Sequence, residues 1–311
     1  MNGRVDVQLV DARSSTLLWT GATATHQGTP REDDLAPIIA RIAGPFGAIA
    51  QAETARLTAR TTGSYACLLR YFSHLKTRDA IEKKILFRCL DAPSDNVSLT
   101  SALTAVHAFA ILEDKVWTDR TAQVALAEKF ARQSLQENSE DAYAHYAMAR
   151  IAYLESKCTA ADYHAQRAIA ANPYDAMIVT VIAGLSYQCG SPRAGTLLDR
   201  AYRIRNDNDV AMRGFLIFAT ISQGQEQRLK ALGFASRPPP GAQLPGFLLT
   251  ETLIAAAQGR QKEAATQWNE FKQLYPGAGP SDEDKLRPIV LSDPTRRLVL
   301  QLLRKNGVIN S

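Results

Sequence analysis

The chain is predicted to be mainly α: a superhelix of stacked helix pairs, an α-solenoid, preceded by a short N-terminal β-hairpin. Three observations predict this. Residues 142–173 read AYAHYAMARIAYLESKCTAADYHAQRAIAANP, and with Pro173 at position 32 of a 34-residue helix–turn–helix repeat, Ala149, Ala161 and Ala168 fall at positions 8, 20 and 27. Small residues are needed there because the two antiparallel helices approach closely. Residues 245–276 return to the same register, with Gly259, Ala264, Trp268 and Pro276 at positions 15, 20, 24 and 32. Only residues 4–26 depart from this helical pattern, alternating polar and apolar side chains.

The hairpin comes first, over residues 1–30. Val5, Val7 and Leu9 alternate with Asp6 and Gln8, residues 11–15 (DARSS) interrupt, and Leu17, Leu18 and Trp19 follow. Two strands alone are marginal in water. They are either the remnant of an α/β domain whose beginning lies elsewhere, or a hairpin that docks on another element.

Residues 31–63 are expected to form one linking helix or two. Ile38, Ile39, Ile42 and Phe46 share a side, Asp33 or Asp34 can cap the start, and Gly44 with Pro45 should interrupt the helix by removing a backbone donor. Residues 64–275 carry degenerate repeats. Helix pairs are expected at 64–76 with 78–90, 98–113 with 119–137, within 142–173 and 176–206, and at 211–222 with 225–235. The segment 236–241 (SRPPPG) then forces an extended connection before the 245–276 pair. The 176–206 unit, with Ala183, Gly190, Ala194 and Ala201, sits one residue short of strict register. A loop and a C-terminal helix rich in leucine (Leu298, Leu300, Leu302, Leu303) occupy residues 276–311 and should cap an end that has no neighbour.

Composition narrows the function classes. With 46% hydrophobic and 22% charged residues the chain has no disordered or collagenous signature. A net charge of +5 spread along the chain gives no nucleic-acid-like stripe, so nucleic acid is not an expected partner of this chain alone. Cys67, Cys89, Cys158 and Cys189 form no CxxC pair and have no histidine at zinc spacing, so they are expected to be reduced packing residues. The start MNGRVDVQLVDARSS lacks a basic region followed by an apolar run, and the apolar stretches at 177–185 and 214–221 are too short to span a bilayer. A cytoplasmic protein with no membrane partner is expected.

No catalytic pattern is present. The sequence contains no GxSxG, Walker-type GxxxxGK[ST], HExxH, or GxGxxG after a strand, and His26, His74, His107, His145 and His164 fall on separate elements. No cofactor and no metal are expected. The candidate site is a partner-binding groove lined by the first helices of the repeats: Tyr143, Tyr146, Arg150 and Tyr153, with Ala147 and Leu154 between them, then Met177, Thr180 and Tyr187, with Val181 and Gln188. Tyrosine and arginine are frequent interface anchors, but the same aromatic stripe can pack between neighbouring repeats. Ala147 and Arg150 stand where carboxylate-clamping repeats use Asn and Lys, so that clamp is not expected. Arg193, Arg200, Arg203 and Arg205 make the densest basic segment, which reads first as a solvated helix face.

Taken together, RVDVQLVDARSSTLLWT (4–20), SYACLLRYFSHL (64–75), the 142–173 repeat, GRQKEAATQWNEFKQLYPG (259–277) and the closing RRLVLQLLRKNGV (296–308) resemble a bacterial family in which a TolB-like or FlgO-like α/β domain precedes tetratricopeptide repeats. The resemblance covers nearly the whole chain. Such proteins often carry a winged-helix or nucleotide-cyclase domain further upstream, and this sequence has neither. The resemblance implies a scaffold that binds a peptide or protein partner in bacterial signalling or regulation. Two alternatives are a sensory fragment of a transcriptional regulator or cyclase, and the substrate-holding repeats of an enzyme. Self-association is left open.

Overall fold

A computed structural model describes residues 2–26, 32–58, 61–77, 80–92, 96–115, 120–204, 210–233, 244–274, 279–287, 289–290 and 293–310. The proline segment 236–241, most of the polar linker after the hairpin and the centre of the turn at 91–95 lie outside the described residues. The chain is mainly helical, with a two-stranded antiparallel sheet at its N-terminus.

Strands β1 (Asn2–Asp11) and β2 (Thr16–His26) pair with Val5 opposite Thr23 and Leu9 opposite Trp19, and the register slips between Leu9 and Val10. Asp11 accepts the Arg13 N–H at 3.0 Å, and Ser15 takes the left-handed φ of 56° that closes the turn. A pair of strands needs a cover, and here β2 packs on helices α1 (Glu32–Ala43) and α2 (Ala48–Ala55). The Thr23 hydroxyl donates to the Asp34 carbonyl at 3.0 Å.

Asp34–Ala55 has the length and apolarity of a bilayer span, which the two shorter stretches singled out from the sequence lack. The helix nevertheless breaks between Ala43 and Ala48, around Gly44 and Pro45. Ala36 and Ala40 of α1 are buried in one cluster with Leu198 and Ala201 of α10 (Ala194–Ile204).

The helices that follow are α3 (Ser64–Thr77), α4 (Ala80–Leu90), α5 (Val97–Lys115), α6 (Arg120–Glu137), α7 (Ala142–Leu154), α8 (Cys158–Ala171) and α9 (Ala176–Gln188). After α10 come α11 (Val210–Ser222), α12 (Glu226–Lys230), α13 (Leu244–Ala257), α14 (Gln261–Gln273), α15 (Asp282–Leu286) and α16 (Asp293–Lys305). Consecutive members pack as pairs, α5 on α6, α7 on α8, α9 on α10 and α13 on α14, while α5, α7, α9, α11 and α13 touch in succession.

Helices α7 and α9 begin at residues 142 and 176, thirty-four residues apart. The irregularity lies in the second helices, which begin at 158, 194, 226 and 261. First helices stack on one another and tolerate little slippage, and a β-carbon added at Gly184 of α9 would lie 3.2 Å from the Ala219 Cα of α11. The period is also marked chemically. Asp141 accepts the Ala144 N–H at 2.9 Å to cap α7, and one repeat later Asp175 accepts the Met177 and Ile178 N–H groups at 2.9 and 3.1 Å to cap α9.

The cysteines overturn the expectation of reduced packing residues. Cys67 is bonded to Cys89, joining α3 to α4, and Cys158 to Cys189, joining the start of α8 to the end of α9. Antiparallel pairing brings residues 22 and 31 positions apart to Cα separations of 5.8 and 5.6 Å, within disulfide reach, although no sequence-local motif marks them.

Candidate functional site

Six of the seven expected groove residues are buried or half-buried. Tyr146 is fully buried, its ring 4.9 Å from that of Phe109 on α5, and the Arg150 guanidinium lies 4.9 Å over the same Phe109 ring. The Tyr143 hydroxyl donates to Asp175 at 2.6 Å, and the Tyr153 hydroxyl pairs with Ser186 at 2.9 Å. Burial, then the Asp175 charge, push the Tyr143 phenol well up, and burial pushes Tyr153 up to about 12. Met177 and Thr180 are fully buried, and Ala147 with them. Of the seven candidates only Tyr187 is exposed, at 47%.

Their cover is the chain's own helix α3. Its Tyr71 ring stands 5.9 Å from Phe109 and its Phe72 ring 5.9 Å from Tyr143. Although α7 and α9 separate α5 from α11 along the stack, α3 touches both of those outer helices, so it lies across the stripe. Buried Arg70 fixes α3 in place, bonding Glu82 of α4 at 3.0 Å and the Thr58 carbonyl at 2.6 Å. Towards the C-terminus α16 packs on α11 and α13, and Thr295 bonds Ser222 of α11 at 3.0 Å and Gln188 of α9 at 3.1 Å. The aromatic stripe is therefore core. Its composition could not tell a peptide from an internal helix, since both bury the same side chains.

A second juxtaposition has no precursor in the sequence pattern. His145 of α7 and His164 of α8 meet Nδ1 to Nδ1 at 2.9 Å, and His145 Nε2 lies 3.0 Å from the Ser139 carbonyl. A carbonyl only accepts, so His145 carries its proton on Nε2, and His164 Nδ1–H donates to His145 Nδ1. Burial pulls both rings down, and His145 with Arg132 helps hold His164 at about 4, so both are neutral near pH 7. Among the described residues, no group of three or more His, Cys, Asp or Glu side chains is placed to hold a metal.

One open concavity lies on the outer side, between α8, α9 and α10. It holds about 530 Å³, floored by Ile169, Ile182 and Leu197 and rimmed by Arg167, Arg193 and Arg200. Arg167 pairs with Glu140, whereas Arg193 and Arg200 form no ion pair among the described residues. The sequence flagged two of these arginines only as part of a basic segment, and α8 supplies the third. No family model, no curated protein and no solved structure matches the chain.

Proposed function

We propose that the chain is a non-enzymatic protein-interaction scaffold of tetratricopeptide-like repeats, binding a peptide or protein partner in bacterial signalling or regulation. The supporting observations are the thirty-four-residue step from the start of α7 to that of α9 and the succession of touching helices α5, α7, α9, α11 and α13, as in stacked helix–turn–helix units whose usual work is recognition. The seating of α3 against Phe109 and Tyr143 is itself helix-in-groove recognition, performed within one chain. The partner therefore meets the outer face rather than Tyr146 and its neighbours.

A second reading, the sensory part of a transcriptional regulator or nucleotide cyclase, is favoured by one contact. Helix α1, which carries the hairpin, packs on α10, so a displacement arriving from the N-terminal side would be passed to the repeats. The compartment is proposed to be oxidising rather than cytoplasmic, because all four cysteines are paired and disulfides persist where thiols are not kept reduced.

Site-specific photo-crosslinking in the native host tests the scaffold reading. With a photoreactive residue at exposed Tyr163, Tyr187 or Leu274, at least one position should yield a discrete protein adduct that excess unlabelled chain suppresses. Absence of such an adduct at all three positions refutes the scaffold.

A further inference from the structure

We propose that the cleft between α8, α9 and α10 binds an acidic peptide segment that carries aliphatic side chains, the acids on its arginines and the aliphatic groups on its floor. The inference rests on the scaffold reading and names the chemistry of the partner.

Charge complementarity selects the occupant. Arg167, Arg193 and Arg200 face Asp162 as the acidic residue of the lining, and Asp162 is already approached by the Tyr153 hydroxyl at 3.4 Å. Arg193 and Arg200 offer planar, multiply donating groups that suit carboxylates, and clusters of this kind read acidic motifs. Between them the accessible aliphatic surface of the floor is that of partly buried Ile169 and Leu197, whereas Ile182, also in the lining, is fully buried. That floor argues against single-stranded nucleic acid, which such grooves take by stacking bases on aromatic side chains. It argues equally against a bare inorganic anion, which has nothing to place on isoleucine and leucine.

The cleft is also held in shape before anything binds. The Cys158–Cys189 bridge joins the start of the helix carrying Arg167 to the end of the helix carrying Ile182, so two of its three walls cannot drift apart. Preorganised walls reduce the entropy lost on binding.

The test is fluorescence anisotropy of the full oxidised chain with a short fluorescein-labelled peptide of glutamates flanking two leucines. Saturable binding is expected, weakened about ten-fold or more by the surface double variant Arg193→Glu/Arg200→Glu and by added salt. Replacing the peptide's leucines by serine should weaken binding again, and a lysine version should not bind. Failure of the glutamate–leucine peptide to bind overturns the proposal, as does equal affinity for the double variant. Undiminished binding of the serine peptide, or complete displacement by pyrophosphate without any dependence on leucine, also overturns it by assigning the cleft to small anions. A crosslinked partner obtained alongside a negative anisotropy result leaves the scaffold standing and removes only the acidic-peptide site.

Discussion

Replacing Cys158 and Cys189 by serine should lower the unfolding free energy by about 3–4 kcal/mol. The bridge spans 31 residues of sequence, and the loop-closure relation for that length assigns about 3.7 kcal/mol at 25 °C, from freedom restored to the unfolded chain. The folded state should change little, because Cys158 is only partly buried and serine is close to cysteine in size. The bridge across 22 residues, Cys67–Cys89, scales to about 3.4 kcal/mol by the same relation. Urea unfolding followed by far-ultraviolet circular dichroism and by tryptophan fluorescence measures the loss, with coincidence of the two probes checking cooperativity. The midpoint should fall and the slope should rise, since an unfolded chain without the crosslink exposes more surface. Thiol titration of the unreduced, denatured protein is the decisive control. Four titrating thiols, or a variant midpoint superimposing on that of the parent, refute the argument.

The remaining predictions concern the core and the histidine pair. Tyr146→Ala should cost about 3–5 kcal/mol by emptying the packing against Phe109, whereas exposed Tyr187→Ala should stay within about 0.5 kcal/mol; equal urea midpoints for the two would restore Tyr146 to an open groove. Arg213→Met should cost about 3–5 kcal/mol, because Glu251, 1% exposed and bonded to Arg213 at 3.0 Å, would keep a buried charge without that partner; Glu251→Gln should cost less, and the two midpoints check the order. His164 is held at about 4, below its ordinary 6.5, so the folded ring stays neutral where the unfolded one takes a proton. Its stabilising contribution is complete above pH 6.5 and is lost as the pH falls towards 4. Thermal midpoints of His164→Gln measured between pH 7 and pH 4 should therefore decline less steeply than those of the parent.

What could be read from residues alone was local. Alternation of Val5, Val7 and Leu9 around a polar turn forms the hairpin wherever it docks, and Gly44 with Pro45 interrupts a helix regardless of neighbours. Small residues at Ala149, Ala161 and Ala168 mark a close helix pair because the restriction acts between adjacent segments, and all three are buried. The spacing of the helix pairs was harder to see, since the second helices begin at uneven intervals, at residues 158, 194, 226 and 261.

The helical class and the N-terminal hairpin were thus determined by sequence, through short-range sterics and backbone hydrogen bonding. Tertiary structure decided which faces remained open. Apolar stripes are satisfied equally by a ligand or by an internal helix, and only the placement of α3 between α5 and α11 assigns Tyr143, Tyr146 and Arg150 to the interior. The same long-range geometry paired Cys67 with Cys89 and Cys158 with Cys189, turned His145 towards His164, and gathered Arg167 with Arg193 and Arg200 around one aliphatic floor. Spacing along a chain does not report such encounters, because antiparallel packing makes distant residues neighbours.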